Sequence, residues 1–182
     1  MKRIRLTMVN ENLRNCPIAL LPPGFRFRYF TDDDEEAWIK ILTQAGEFPT
    51  VAMAQERFQN EFSSSFQRLQ ERAFFVETEQ GKPVGTAMGW YNPAFRDGNY
   101  GRLHWVAIMP PYQGKGLARP LVTKALQIMK KEHTKAYLTT RPRSYKGIRL
   151  YLDYGFKPVR QTADCQEGWD LVAKILGIKI LL

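Results

Sequence analysis

Leu103-His-Trp-Val-Ala-Ile-Met-Pro-Pro-Tyr-Gln-Gly-Lys-Gly-Leu-Ala118 is the stretch on which the fold turns. Val106, Ala107 and Ile108 form an apolar, strand-like run that stops at Pro110 and Pro111, and Gly114 and Gly116 then make a tight turn. Leu117, Leu121, Val122, Ala125, Leu126 and Met129 follow at helical spacing, so a strand, a loop and an amphipathic helix come in direct succession. The first N–H groups of a helix have no partner within it and carry partial positive charge, and small residues let an anion approach them. Lys115 and Arg119 add cationic side chains. A Gly-x-Gly alone is also an ordinary strand-to-helix turn. No Lys-Ser or Lys-Thr pair follows the second glycine, so the loop is not a Walker A motif, and it does not complete a dinucleotide fingerprint.

Read as Gln113-x-x-Gly116-x-Ala118, the loop resembles the acyl-CoA signature (Arg or Gln)-x-x-Gly-x-(Gly or Ala) of the GNAT superfamily of N-acetyltransferases. Downstream, Ser144-Tyr-Lys-Gly147-Ile-Arg-Leu-Tyr151-Leu-Asp-Tyr-Gly155-Phe156 resembles that family's Asn-x-x-Ala-x-x-x-Tyr-x-x-x-Gly-Phe segment, with Ser144 for Asn and Gly147 for Ala. Two motifs in the right order are more specific than either alone. The resemblance covers about residues 25 to 160. It implies an α/β (α+β) fold, GNAT-like, with a mixed, mostly antiparallel central sheet flanked by helices on both faces. It also implies transfer of an acetyl group from acetyl-CoA to a primary amine by direct attack in a ternary complex. The coenzyme diphosphate would lie on Gln113, Gly114, Lys115, Gly116, Leu117, Ala118 and Arg119, with Ser144 in the pantetheine position. A main-chain N–H near Val106, Ala107 or Ile108 would bind the thioester carbonyl.

Such chemistry needs an unprotonated amine and a proton for the departing thiolate. An alkylamine, with a pKa of about 10, is almost wholly protonated at neutral pH, so a proton acceptor is required. His104 is the expected base, and strand alternation places it on one face with Val106 and Ile108. Histidines on this strand hold that role in the arylalkylamine branch of the family. The alternative is a core histidine beside Trp105, and Glu77 is a lesser candidate base. Tyr151 matches the tyrosine whose phenol, in the family, protonates the coenzyme sulfur; the alternative is a packed aromatic, which is the reading for Tyr154. The family's two early helices wall the acceptor site, which brings in Glu47, Phe48 and Phe58, and Trp38, Phe48, Trp90, Tyr91 and Trp105 suggest an aromatic pocket. Phe48, Trp90 and Trp105 are the residues chosen as acceptor contacts.

A chain of 182 residues is long enough for one well-cored domain, and 44% hydrophobic content argues against disorder. No apolar run approaches the roughly 20 residues that span a bilayer. The basic start, Met1-Lys-Arg-Ile-Arg, meets Asn10, Glu11 and Asn12 before any apolar core long enough for a signal peptide. The expected compartment is the cytoplasm. Cys16 and Cys165 lack metal-ligand spacing, so two reduced thiols and no metal are expected. Of the net charge of +9, residues 110 to 160 carry +10, which leaves the remainder at −1. The excess surrounds the glycine loop, where a polyanionic substrate needs it, so neither nucleic acid nor membrane is expected as a partner.

Ile4, Leu6 and Met8 alternate as in a short strand, but residues 1 to 24 as a whole read as an N-terminal arm, with a single domain over 25 to 182. Strands are predicted over 25 to 30, 73 to 78, 84 to 91, 100 to 109, 136 to 139 and 156 to 159. Thr31 before Asp32-Asp-Asp-Glu-Glu36 reads as a capped helix start rather than a carboxylate site, and a second helical stretch over 50 to 70 is interrupted near Ser63 to Ser65. Ser144 can cap a helix that Gly155 ends. Residues 168 to 176 fit a final helix or strand, and the apolar tail from Ile178 to Leu182 could pack against a second subunit as a homodimer. Two further functions fit the residues: a CoA-binding regulatory domain without turnover, and a nucleic-acid module using the basic half with Tyr137, Tyr145 and Tyr151.

Overall fold

The computed structural model describes residues 4–160 and 164–180; the first three residues of the expected arm and the last two of the apolar tail lie outside the described residues. In chain order the elements begin β1 (Leu6–Asn10), β2 (Phe25–Tyr29), α1 (Glu35–Gln44), α2 (Val51–Phe62), α3 (Phe66–Arg72), β3 (Ala73–Thr78) and β4 (Pro83–Tyr91). They continue β5 (Tyr100–Ile108), α4 (Ala118–Met129), β6 (Lys135–Thr140), α5 (Tyr145–Asp153), β7 (Lys157–Val159) and α6 (Cys165–Leu176). Hydrogen-bonded neighbours run β2-β3-β4-β5-β6-β1-β7. Strands β5 and β6 are parallel, while β1–β6, β1–β7, β2–β3 and β3–β4 are antiparallel, so the sheet is mixed and mostly antiparallel as expected.

Two compact units are distinguished. The first comprises Ile18–Trp90 and Leu103–Ile128. Its middle strand β3 buries Ala73, Phe74, Phe75, Val76 and Glu77, and both flanks of β4 are covered by helices. Gly89 faces α4 so closely that a β-carbon there would lie 2.7 Å from the Ala125 carbonyl oxygen and 2.9 Å from Ile128. The next residue, Trp90, packs on Phe62 of α2 with ring centroids 5.2 Å apart. Successive residues thus meet helices on opposite faces, as a pleated strand requires. Helix α1 buries Trp38, Ile39, Ile41 and Leu42 and begins at Glu35, three residues later than the acidic run suggests. The reason is that Asp34 is engaged elsewhere: its carboxylate accepts from the Thr31 N–H and hydroxyl and from Arg28.

The second unit comprises Met1–Pro17, Tyr91–Arg102 and Met129–Leu182. Here the reading of residues 1 to 24 as an arm is corrected for Leu6–Asn10. Leu6–Asn10 is a strand with β6 on one side and β7 on the other, and all five of its residues are buried. Strand β5 pairs with β6 at Tyr100↔Lys135, Gly101↔Ala136 and Arg102↔Tyr137. Helix α6 closes on β1 at Gly168, where a β-carbon would lie 2.8 Å from Ile4 and 2.9 Å from Leu6. Residues 165–176 are therefore a helix, the first of the two states left open by the sequence.

Candidate active site

The glycine loop lies wholly in the first unit. Pro110–Tyr112 forms a short 3-10 turn after β5, and Gly114 and Gly116 adopt φ of +76° and +78°, a region costly for any residue with a β-carbon. A β-carbon at either glycine would meet nothing within 4 Å, so the exposed backbone can be approached from outside. Gln113 donates from its side-chain amide to the Ile108 carbonyl at 2.9 Å, which ties the loop back to the end of its strand. The Lys115 ammonium sits 5.4 Å from the centre of the Tyr112 ring.

Leu121 donates its N–H to the Leu117 carbonyl at 3.1 Å, so Leu117 occupies the cap position of α4. Most helices cap this end with Ser, Thr, Asp or Asn, whose side-chain oxygen takes one of the first N–H groups. Leucine has no acceptor atom, and its side chain is buried. Pro120, in the first turn, contributes no N–H. The helix thus begins directly after Gly116 with a cap residue whose side chain carries no acceptor. A phosphate-bearing substrate fits such a cradle.

Across β5 the backbone departs from a regular strand. Trp105 has φ of +48°, an outlier for so bulky a residue. Regular alternation would send His104 and Trp105 to opposite faces. Instead both meet the α1–α2 side: His104 Nε2 pairs with Glu61 Oε1 of α2, and the Trp105 ring packs on Trp38 of α1 at 5.5 Å and on Phe48 at 5.2 Å. The two rings lie 4.7 Å apart with 33° between their planes. The expectation that His104 shares a face with Val106 and Ile108 is therefore corrected for Ile108, whose side chain lies beside Leu121 of α4, against Gly85. His104 is only 7% exposed.

Of the expected acceptor contacts, Phe48 and Trp105 touch and are both partly exposed, while Trp90 is buried against Phe62. The indole N–H groups of Trp38 and Trp105 are buried without a hydrogen-bond partner. Glu61 was not among the sequence candidates. It was findable, because Phe58, Glu61 and Phe62 are spaced i, i+3, i+4 and place a carboxylate on the apolar stripe of α2.

Glu77, the lesser candidate base, is held between two arginines. It accepts from Arg26 Nε at 2.7 Å and from Arg28 Nε at 2.9 Å, and is 2% exposed. Burial pushes its carboxyl up, but the bonds from Arg28 and Arg26 outweigh this and hold it below the usual carboxylate range.

Ser144 and Tyr151 belong to the second unit. Ser144 ends the 3-10 turn Pro142–Ser144 and stands at the cap position of α5, but its side chain makes no capping bond, so the expected cap is corrected. Its φ of −88° and ψ of 31° continue the turn rather than adopting the extended shape that a capping serine needs. Tyr151 is partly exposed, with its ring 6.3 Å from Phe156, and Tyr154 is buried as expected. Gly155 ends the helix at φ +80°, with the Phe156 N–H on the Tyr151 carbonyl at 3.0 Å. A β-carbon at Gly147 would make ordinary contact with the Tyr151 ring at 3.5 Å, so the glycine there opens no clash-dependent space.

Cys16 and Cys165 are unbridged. Among the described residues, no group of three or more His, Cys, Asp or Glu is placed to hold a metal ion, and no helix is long and apolar enough to cross a membrane.

A mixed, mostly antiparallel sheet with a glycine loop between a strand that ends in a double proline and a helix is the architecture in which comparison with known proteins places this chain. The chain belongs to the acetyltransferase (GNAT) family, whose profile matches residues 27–156. It is similar in structure to a GCN5-related N-acetyltransferase from Sphaerobacter thermophilus, with a TM-score of 0.62 and 22% identity over 87% of this chain and 50% of that one. It is also similar to a GNAT-family acetyltransferase from Colwellia psychrerythraea, with a TM-score of 0.65 and 9% identity over 87% of this chain and 55% of that one. Identities this low carry the fold alone. The chain spans about half the length of these two structures. No curated protein matches it in sequence.

Proposed function

We propose that the protein is an N-acetyltransferase of the cytoplasm that moves the acetyl group of acetyl-CoA to a primary amine of a small molecule or peptide. The observation that carries this reading is the pair of left-handed glycines, exposed and with open space around them, that leads directly into α4. Gln113, Gly114, Lys115, Gly116, Leu117, Ala118 and Arg119 would hold the diphosphate there, and Ser144 would lie along the pantetheine. Among the amides of Val106, Ala107 and Ile108, one would donate to the thioester oxygen. Phe48, Trp90 and Trp105 would flank the acceptor.

The amine nitrogen attacks the thioester carbonyl carbon, a C–N bond forms, and the C–S bond breaks. His104 takes the proton that the amine gives up, and Tyr151 supplies one to the departing thiolate. Direct attack is supported by the cysteines. Burial pushes the Cys16 thiol up, against the pull of Lys130, and Cys165 is almost wholly buried, so neither is primed as an acyl-carrying nucleophile.

A thiol-release assay with acetyl-CoA against an amine library tests the reading, run on wild type and His104→Ala. At least one amine is expected to release thiol, and His104→Ala to reduce the rate about a hundredfold or more. Silence against every amine, together with calorimetric uptake of acetyl-CoA, would favour the second reading, a CoA-binding domain without turnover. The observation on that side is the low exposure of His104.

A further inference from the structure

Helix α6 is packed along its inner face, where Cys165, Gly168, Trp169 and Val172 are buried against the second unit. Its outer face is apolar in the middle. Leu171 is 40% exposed and Ile175 47%, and their i, i+4 spacing stacks them on one side of the helix. Glu167 precedes Leu171 by the same step, and Asp170 and Lys174 form the neighbouring row. Charge along this face is sorted by sign: Glu167 and Asp170 lie toward the N-terminal end, Lys174 and, just past the helix, Lys179 toward the other. All four are exposed. Among the described residues none of them is in an ion pair, and Asp170 accepts only from Gln166 Nε2 at 2.9 Å. Asp170 and Lys174 have the spacing that permits a pair along one helix, yet they form none.

We propose that the outer face of α6 is a contact between two copies of this chain, with the two helices antiparallel about a twofold axis. Antiparallel packing sets Leu171 of one copy against Ile175 of the other, twice over. It also lays the acidic half of each helix beside the basic half of the other. A parallel pair would oppose like charges, so the sorting of sign selects the antiparallel arrangement and makes the patch its own complement. The helix dipole alone favours acids first and bases last. It gives no reason for an exposed apolar pair between them, and association does. One helix pair lies at the small end of specific interfaces, so the dimer forms with rising concentration rather than as an obligate unit.

The test is sedimentation velocity on the full chain over a concentration series at low salt, with thermal melts to show that each variant is folded. Wild type is expected to pass from monomer to dimer as concentration rises, and added salt to weaken the dimer. Leu171→Ser with Ile175→Ser should weaken it by about tenfold or more. Two charge variants carry the decisive arm. Lys174→Glu turns the helical face wholly acidic, and Glu167→Lys with Asp170→Lys turns it wholly basic. Each alone is expected to dimerise at least about tenfold more weakly than wild type, and an equimolar mixture of the two to recover a dimer. A helix dipole acts within one chain, so recovery in the mixture is a result that it cannot produce.

A wild type that stays monomeric throughout the series would overturn the proposal and give the face to a different partner. A dimer undisturbed by the serine exchanges would overturn it as well, since its contact would lie elsewhere on the chain. So would acidic and basic variants that fail to associate when mixed. If the serine variant melts early, the mixing experiment decides, because it changes only charges at exposed positions.

Discussion

Arg28 grips Asp34 through both carboxylate oxygens, Nη1 to Oδ2 at 2.6 Å and Nη2 to Oδ1 at 2.8 Å, while its Nε reaches back to Glu77 at 2.9 Å. One guanidinium thus joins β2, the start of α1 and β3. The bidentate arrangement is the strong form of such a pair. Replacing Arg28 by Met leaves two poorly hydrated carboxylates with fewer partners, and a loss of about 3 kcal/mol is expected from urea unfolding.

The same network sets an acid limit. Burial raises the Asp34 carboxyl, but the bonds from Arg28 and Thr31 outweigh it, so Asp34 and Glu77 both end below their ordinary values. Carboxyls depressed in the folded state contribute stability above their unfolded pKa, about 4, and lose it as pH falls through the folded value. Urea midpoints should therefore drop below about pH 4 more steeply in wild type than in Arg28→Met.

Two glycines should respond differently to the same added methyl group. At Gly89 the obstacle is the Ala125 carbonyl of α4, 2.7 Å away and part of a rigid helix. Gly89→Ala should lower stability by about 2 kcal/mol in calorimetric melts, without selectively weakening coenzyme binding in the folded fraction.

At Gly116 space is open and only the φ of +78° resists. Gly116→Ala should cost about 1–2 kcal/mol in the loop conformation that offers the amides. Titration calorimetry with CoA should then show affinity about tenfold weaker or worse, with little change in melting temperature.

Tyr151→Phe removes a proton donor and little volume. With any amine that turns over, kcat should fall by about a hundredfold while CoA affinity is retained. Unchanged kcat would remove Tyr151 from the proposed chemistry.

The loop and most of the strands were legible because their signals are local. Two glycines, a double proline and a helical apolar stripe sit within one window of sequence. What was not legible depends on partners distant in the chain. Leu6–Asn10 looked like an arm because its neighbours, Lys135–Thr140 and Lys157–Val159, lie more than a hundred residues on. The Glu61–His104 pair closes 43 residues, and nothing near His104 announces it. The turn at Trp105 is harder still, since left-handed backbone is ordinarily marked by Gly or Asn and here is held by tryptophan.

That tryptophan bears on how the protein could change its preferences over time. Substitution at residue 105 alters the backbone's tolerance for φ +48° together with the indole surface, so one exchange perturbs both the pleat and the imidazole next to it. Phe48 touches the same ring from the link between α1 and α2, outside the ladders. Variation is thus cheapest on the link, and lineages that diversify the molecules they take up should vary there while residue 105 stays put.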